Sequence, residues 1–212
     1  MSRLRFNWNE AKSHLRAVCP HLSRFMTDFG AARYRVRPDG DLFRALARSI
    51  AFQQLSGKAA GTIHGRFEAL FDDGRPEPAR TLVLGTEPLR SVGLSRAKTA
   101  AILDLADKLE NGELPSARRI ATLDDDELIR RLCTVRGIGP WTVQMHLIFY
   151  LGRPDVMPAT DLAVQKGVMQ VYGLDGMPSP KEVMAQTEHL APYRSAASWY
   201  FWRASETVTP GD

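Results

Sequence analysis

Helix boundaries are marked along almost the whole chain, and strand signals are nearly absent. In "DGDLFRALARSIAF", Leu42, Leu46 and Ile50 recur at intervals of four behind Asp41, a capping residue. "SGKAAGTIHGRFEALF" repeats the arrangement, with Ser56 as cap and Ile63, Phe67 and Leu70 on one face. After the loop "DGRPEPAR", two short helices are predicted over 78–84 and 87–91, closed near Gly85 and Gly93. Ser95 caps a longer helix that ends at Asn111-Gly112, and Asp124 opens another with Glu127 at capping-box spacing. The segment 140–151 has Pro140 at its first helical position and Gly152 past its end. Further helices are predicted over 161–172, from Ser179-Pro180-x-Glu182, and over 192–206. About ten helices and no convincing strand define an all-α protein.

With 212 residues, 44% of them hydrophobic, the chain can bury a sizeable core in one large domain or two lobes. A net charge of +4 is compatible with a polyanionic partner but is a weak signal by itself. Two distant cysteines, Cys19 and Cys133, cannot build a cysteine metal cluster and suggest a reducing compartment. No stretch approaches the roughly 18 apolar residues of a membrane span, and "MSRLRFNWNEAKSHLR" lacks a signal-peptide core. The expectation is a soluble, intracellular protein, cytoplasmic or nucleoid in a bacterium and nuclear in a eukaryote, with no membrane partner. The histidines at 14, 21, 64, 146 and 189 show no metal-ligand spacing.

Within 125–151 the pattern is helix, tight turn, helix, and the turn carries Gly137-Ile138-Gly139. Glycine permits positive φ and close backbone approach. The free N–H groups and dipole at the start of the second helix make an anion site suited to a phosphate. Ile138 would plug the gap between the helices. From these residues alone, an ordinary αα-hairpin that uses glycine only for geometry is also open.

The wider pattern is more specific. "LCTVRGIGPWTV" resembles the hairpin of the helix-hairpin-helix DNA glycosylase superfamily, which also contains endonuclease III. In that superfamily an essential aspartate lies about twenty residues beyond the lysine position. Here "DVMPATD" ends at Asp161, twenty positions after Trp141. "SIAFQQLSGKAA" is similar to the family's intercalation segment, and "SVGLSRAKTAAILDLA" to its second phosphate-binding turn. "APYRSAASWYFW" resembles the C-terminal helix of the DNA-3-methyladenine glycosylase II branch. The resemblance spans about residues 40 to 206.

The resemblance implies a fold of two helical lobes with the active-site cleft between them. One lobe would hold 41–155, and the other 1–40 plus 156–212 with the catalytic aspartate and the aromatic helix. It implies a glycosylase that flips out alkylated bases of the 3-methyladenine or 7-methylguanine type and excises them from double-stranded DNA, initiating base excision repair. As the C1′–N bond breaks, positive charge builds on the sugar. Asp161 would stabilise it and activate water, from a helix start where negative charge is favoured. Bifunctional members place a nucleophilic lysine where Trp141 stands, so a hydrolase using water is expected. Lys166, five residues beyond Asp161, is the rival nucleophile and is expected to face solvent.

A flipped cationic base would stack on aromatic faces, with Trp202 at the family's stacking position and Trp199, Tyr193 and Trp141 as neighbours. Tyr200 and Phe201 read as core or surface. Gln54 or Leu55 would fill the gap in the stack, while Gln53 and Ser56 order their loop. The phosphate clamp would be the N–H groups of Gly137, Gly139 and Thr142, helped by Gly93 and Ser95, with charge from Arg136 and Lys98. A structural Na+ or K+ on the carbonyls of Cys133, Val135 and Ile138 is implied, with no catalytic cofactor.

The chain departs from its relatives in two ways. No cysteine follows 133 in this sequence, so the four-cysteine iron–sulfur loop of the endonuclease III branch is expected to be absent. The stretch before residue 41 is short for the N-terminal β domain of some relatives, so that domain is expected to be absent or reduced to a helix. A monomer is expected. Two other readings stay open: an 8-oxoguanine-type glycosylase/lyase, which wants lysine at 141, and a non-catalytic damage-binding protein, which needs neither Asp161 nor an aromatic pocket.

Overall fold

Capping side chains set most of the helix starts in the structure, a computed structural model that describes residues 4–30, 34–37, 41–120 and 122–207. Every helix expected from the sequence forms, and no strand occurs among the described residues. The helices of the middle of the chain are α3 (Leu42–Phe52), α4 (Gly57–Glu68), α5 (Pro78–Leu84), α6 (Thr86–Ser91) and α7 (Arg96–Glu110). They are followed by α8 (Ala117–Ile120), α9 (Asp125–Leu132) and α10 (Pro140–Phe149). Asp41, Ser56, Ser95 and Asp124 each accept a hydrogen bond from the N–H three residues on, as their positions predict. The last part of the chain forms α11 (Leu162–Tyr172), α12 (Pro180–Gln186), a single 3-10 turn (Glu188–Leu190) and α13 (Arg194–Thr207). Ser179 and Glu182 close a reciprocal capping box at α12.

Two helices precede these, α1 (Trp8–Val18) and α2 (Pro20–Phe29). Asn7 caps the first through its side-chain oxygen. Cys19 caps the second, its Sγ accepting from the Leu22 N–H at 3.4 Å, with Pro20 at the first helical position.

The chain divides into two compact units, residues 39–146 and residues 1–38 with 147–212. Residues 1–3, 31–33, 38–40 and 208–212 of the second lobe expected from sequence lie outside the described residues. The return to the second unit falls inside α10, at Leu147 rather than after residue 155. Backbone pairing explains the shift. Phe149 O accepts from the Arg37 N–H at 2.8 Å, Gly152 O from the Arg5 N–H at 3.1 Å, and Ile148 O from the Tyr34 hydroxyl.

In the 39–146 unit α7 packs against α3, α5 and α6, burying Phe43, Leu46, Ile50, Leu89, Ile102 and Leu105. In the other unit the dominant contact is between α11 and α13. That crossing is made at backbone distance. A Cβ placed on Gly167 would stand 1.9 Å from the carbonyl oxygen of Phe201. Tyr200 and Phe201 are buried in the core formed there with α1 and α2.

Candidate active site

The Gly167 crossing places the start of α11 beside α13, and the segment leading into α11 is stapled to the same helix. Asp155 and Arg194 form a bidentate ion pair at 2.7 and 2.8 Å, and the Arg194 N–H also reaches Asp155. Burial pushes the Asp155 carboxyl up, but the hydrogen bonds and charge of Arg194 outweigh it and hold it below the usual carboxylate range. The same contacts raise Arg194. Beside them, the Val156 N–H donates to Ser195 Oγ at 3.0 Å and the Ser195 N–H to Pro154 O at 3.0 Å.

The segment then turns, with the Asp161 N–H donating to Pro158 O at 2.9 Å. Three donors converge on Asp161 Oδ1. The N–H groups of Ala163 and Val164 reach it at 2.9 Å each, and the indole N–H of Trp202 reaches it at 3.1 Å. Gln165 steadies the turn by donating to Ala159 O at 2.8 Å from a buried position. Asp161 is therefore the N-cap of α11 and at the same time the partner of an aromatic residue 41 positions away. One carboxylate serves both purposes.

Trp202 is half-buried, and its ring lies 5.3 Å from that of Phe149 at 30°. Trp199 meets Trp8, Phe29 and Tyr200 edge-on, with the Arg203 guanidinium 5.4 Å from its ring. Tyr193 lies against Phe6 and His14. The structure thus places Trp199 and Tyr193 in the aromatic packing around α1, α2 and α13. Trp141, in the other unit, is 43% exposed in the first turn of α10. Lys166, expected to face solvent, is half-buried, between the buried residues Gln165 and Gly167 in sequence.

In the 39–146 unit the hairpin runs from α9 through residues 133–139 into α10. Gly137 takes φ +72°, a left-handed conformation that favours glycine. Ile138 is buried, as expected of a plug between the helices, and its N–H donates to Val135 O at 3.1 Å. Val143 N–H closes on Gly139 O at 3.2 Å, so the N–H groups of Trp141 and Thr142 lie in the first turn of α10. The Thr142 side chain is buried, which leaves its backbone as the group that can serve a phosphate. Arg136 anchors the turn by donating its N–H to Asp104 at 2.7 Å, while its side chain is exposed.

The cation expected at this turn would have neutral carbonyls as its donors. Val135 O already accepts one hydrogen bond and has a second lone pair. Burial pushes the Cys133 thiol up, so a neutral thiol leaves that residue's carbonyl as its donor. Such a donor set fits a monovalent ion rather than a transition metal. No cluster of His, Cys, Asp or Glu suited to a metal occurs among the described residues.

Gly93 takes φ +102°, and Ser95 caps α7 through the Lys98 N–H. The Lys98 side chain, expected to add charge for a phosphate, reaches the end of α3. Its ammonium donates to the carbonyls of Ala51 and Gln53 at 2.8 Å each. The cause is the C-terminal end of α3, whose unpaired carbonyls and negative dipole end attract a cation. Gln53 in turn donates from its side chain to Gly137 O at 2.9 Å. Between these anchors Gln54 is exposed with φ +54°, and Leu55 is 41% exposed. Sequence reasoning missed the Lys98 contacts and the Asp155–Arg194 staple. Asp155 and Arg194 stood inside the quoted motifs, but nothing in either motif says that their side chains meet.

An all-helical chain with a Gly-Ile-Gly hairpin and a capped, indole-paired aspartate beyond it is a helix-hairpin-helix DNA repair protein. Residues 47–192 match the family described as HhH-GPD superfamily base excision DNA repair protein, and the chain belongs to that superfamily. It is 35% identical over 199 residues to DNA-3-methyladenine glycosylase 1 of Schizosaccharomyces pombe, covering 93% of this chain and 87% of the relative. Its structure is similar to that of the S. pombe 3-methyladenine DNA glycosylase Mag1 in complex with abasic DNA. The TM-score is 0.82 at 34% identity, over 93% of this chain and 97% of that one. A DNA-3-methyladenine glycosidase from Bacillus halodurans superposes with a TM-score of 0.84 at 30% identity, over 93% and 89% of the two chains.

Proposed function

We propose that this chain is a monofunctional DNA N-glycosylase. It flips alkylated bases of the 3-methyladenine and 7-methylguanine type out of duplex DNA and excises them by attack of water at C1′. The observation that carries this reading is the convergence of two backbone N–H groups and the Trp202 indole on Asp161. A carboxylate fixed in this way presents its negative charge at one place without reorganising as the reaction proceeds.

An alkylated base is cationic and leaves as a neutral molecule, taking the electron pair of the C1′–N bond. The positive charge left on the sugar is stabilised by Asp161. Water then forms the new C1′–O bond, and its proton passes to Asp161 or to solvent. Trp202 orients the carboxylate through its N–H and offers a π-face to the cationic base. Trp141 has no amine to form a Schiff base, which favours this reading over a glycosylase/lyase. A non-catalytic damage-binding protein would have no need of an aspartate held in this way.

Gln54 fills the space left in the stack, with Leu55 beside it. The N–H groups at the hairpin and at the Gly93–Ser95 turn hold phosphates, with Arg136 adding charge. A Na+ or K+ on the carbonyls of Cys133, Val135 and Ile138 would add positive charge there, and no step above runs through it. The protein acts as a monomer inside the cell, where its substrate is. No helix is long and apolar enough to cross a membrane among the described residues.

The test is base release from N-methylated duplex DNA. Asp161→Asn should lower the single-turnover rate by at least about 100-fold. Neither the native chain nor Lys166→Ala should differ in yielding intact abasic strands and no borohydride-trapped adduct. Unchanged release by Asp161→Asn refutes the mechanism, and a trapped adduct refutes the monofunctional assignment.

A further inference from the structure

The turn that carries Gln54 is fixed from behind by a charged side chain. Gln54 is the sole non-glycine residue with positive φ among the described residues. A side chain in that conformation costs free energy and persists where its surroundings determine it. Here the surroundings are Lys98 and Gln53. The Lys98 ammonium bridges the carbonyls of Ala51 and Gln53, the last before the left-handed residue, at 2.8 Å each. Its own N–H is held at Ser95 Oγ, 3.2 Å away, in the second phosphate turn. Gln53 Nε2 reaches 2.9 Å to Gly137 O, in the hairpin turn. Three turns far apart in sequence are thereby joined by two side chains. Burial lowers the Lys98 pKa, which agrees with an ammonium directed inward.

We propose that Lys98 is a positioning residue for base flipping: it holds the Gln54 turn in its left-handed form and ties that turn to the phosphate-binding turns. Phosphate capture then delivers a wedge already shaped for entry into the stack, and ordering it costs nothing at that moment. Lys98 itself touches neither phosphate nor base. The inference rests on Gln54 being the wedge, as assigned above.

The experiment compares full-length variants on two methylated duplexes, one with the damaged base correctly paired and one with it mispaired. A mispaired base costs less to unstack and depends less on a wedge. Lys98→Met should lower single-turnover release from the paired duplex by at least about tenfold, the scale of charge-assisted hydrogen bonds. The loss on the mispaired duplex should be clearly smaller. Affinity for undamaged duplex should stay within about twofold, because no phosphate contact is removed. Lys98→Arg should restore most of the rate, and Lys98→Met combined with Gln54→Ala should be no worse than Gln54→Ala alone. Gln53→Ala, which cuts the link to the hairpin without touching the charge, should show the same paired-to-mispaired signature.

Equal losses on both duplexes, or a matching loss of affinity for undamaged duplex, overturn the proposal. If Gln54→Ala shows the paired-duplex defect and Lys98→Met does not, the Lys98 inference alone fails. If Gln54→Ala leaves the ratio unchanged, the wedge assignment fails and the inference goes with it.

Discussion

His146 is 2% exposed in α10, and burial pushes its pKa down to about 4. An unfolded chain would take up that proton near pH 6.5, about where free histidine titrates. The folded state binds fewer protons across this window, so its stability is full above about pH 6.5 and falls as the pH drops towards 4. The total loss is about 3 kcal/mol. Asp155 acts in a lower window. Its folded pKa is depressed, so its contribution is complete above the ordinary aspartate range and is lost as the pH falls through the lowered value. Acid unfolding should therefore proceed in two stages. His146→Leu should flatten the upper stage, and Arg194→Met the lower one. Urea midpoints measured across the pH range would show this, and variant profiles that run parallel to the native one would sink it. At this scale the sequence was readable where a residue acts on its neighbours in the chain. Asp161 as a cap and Ile138 as a plug are cases. It was unreadable where the partner is distant, because no local pattern tells Lys98 that Ala51 and Gln53 lie 47 and 45 residues away.

Among the elements, the α11–α13 crossing carries the site. A methyl group on Gly167 would meet the Phe201 carbonyl oxygen at 1.9 Å and its carbon at 2.5 Å. Gly167→Ala must push the helices apart, which should cost about 3 kcal/mol and lower the melting temperature by about 10 °C. It should also lengthen the Trp202–Asp161 hydrogen bond, so base release should fall at temperatures where the variant is still fully folded. A folded variant with native activity would show that the pairing tolerates a looser crossing. Helices opened by Ser or Asp caps were legible, and all of those expected form. The N-terminal pair α1 and α2 was not, although Asn7 and Pro20 are ordinary start signals. Their apolar stripes are short and interrupted by charge, and they acquire their helical stability by packing against each other and against α11 and α13. The four-residue α8 and the 3-10 turn are too brief to leave a period.

On the scale of the whole molecule, charge is distributed against intuition. The unit 39–146 contains the two turns proposed to bind phosphate, yet its 15 Lys and Arg are matched by 15 Asp and Glu. The proposed grip on DNA would then rely on oriented N–H groups at helix starts more than on the net charge of this unit. The affinity for undamaged duplex should then fall only gently with salt, with a log–log slope equivalent to about two to four phosphates. A slope steeper than about −5 would reveal a polybasic surface instead. The all-helical class could be read from the sequence. The place where the chain returns to the second unit could not, because it lies inside an unbroken helix. The Gly167 crossing also limits how this molecule can vary over generations. A tight contact between two side chains can be relieved by shrinking either one, so such positions drift in pairs. Here the obstruction is main chain, which every amino acid brings along. No replacement at position 201 can make room for one at 167, and that position is closed to compensation from across the interface.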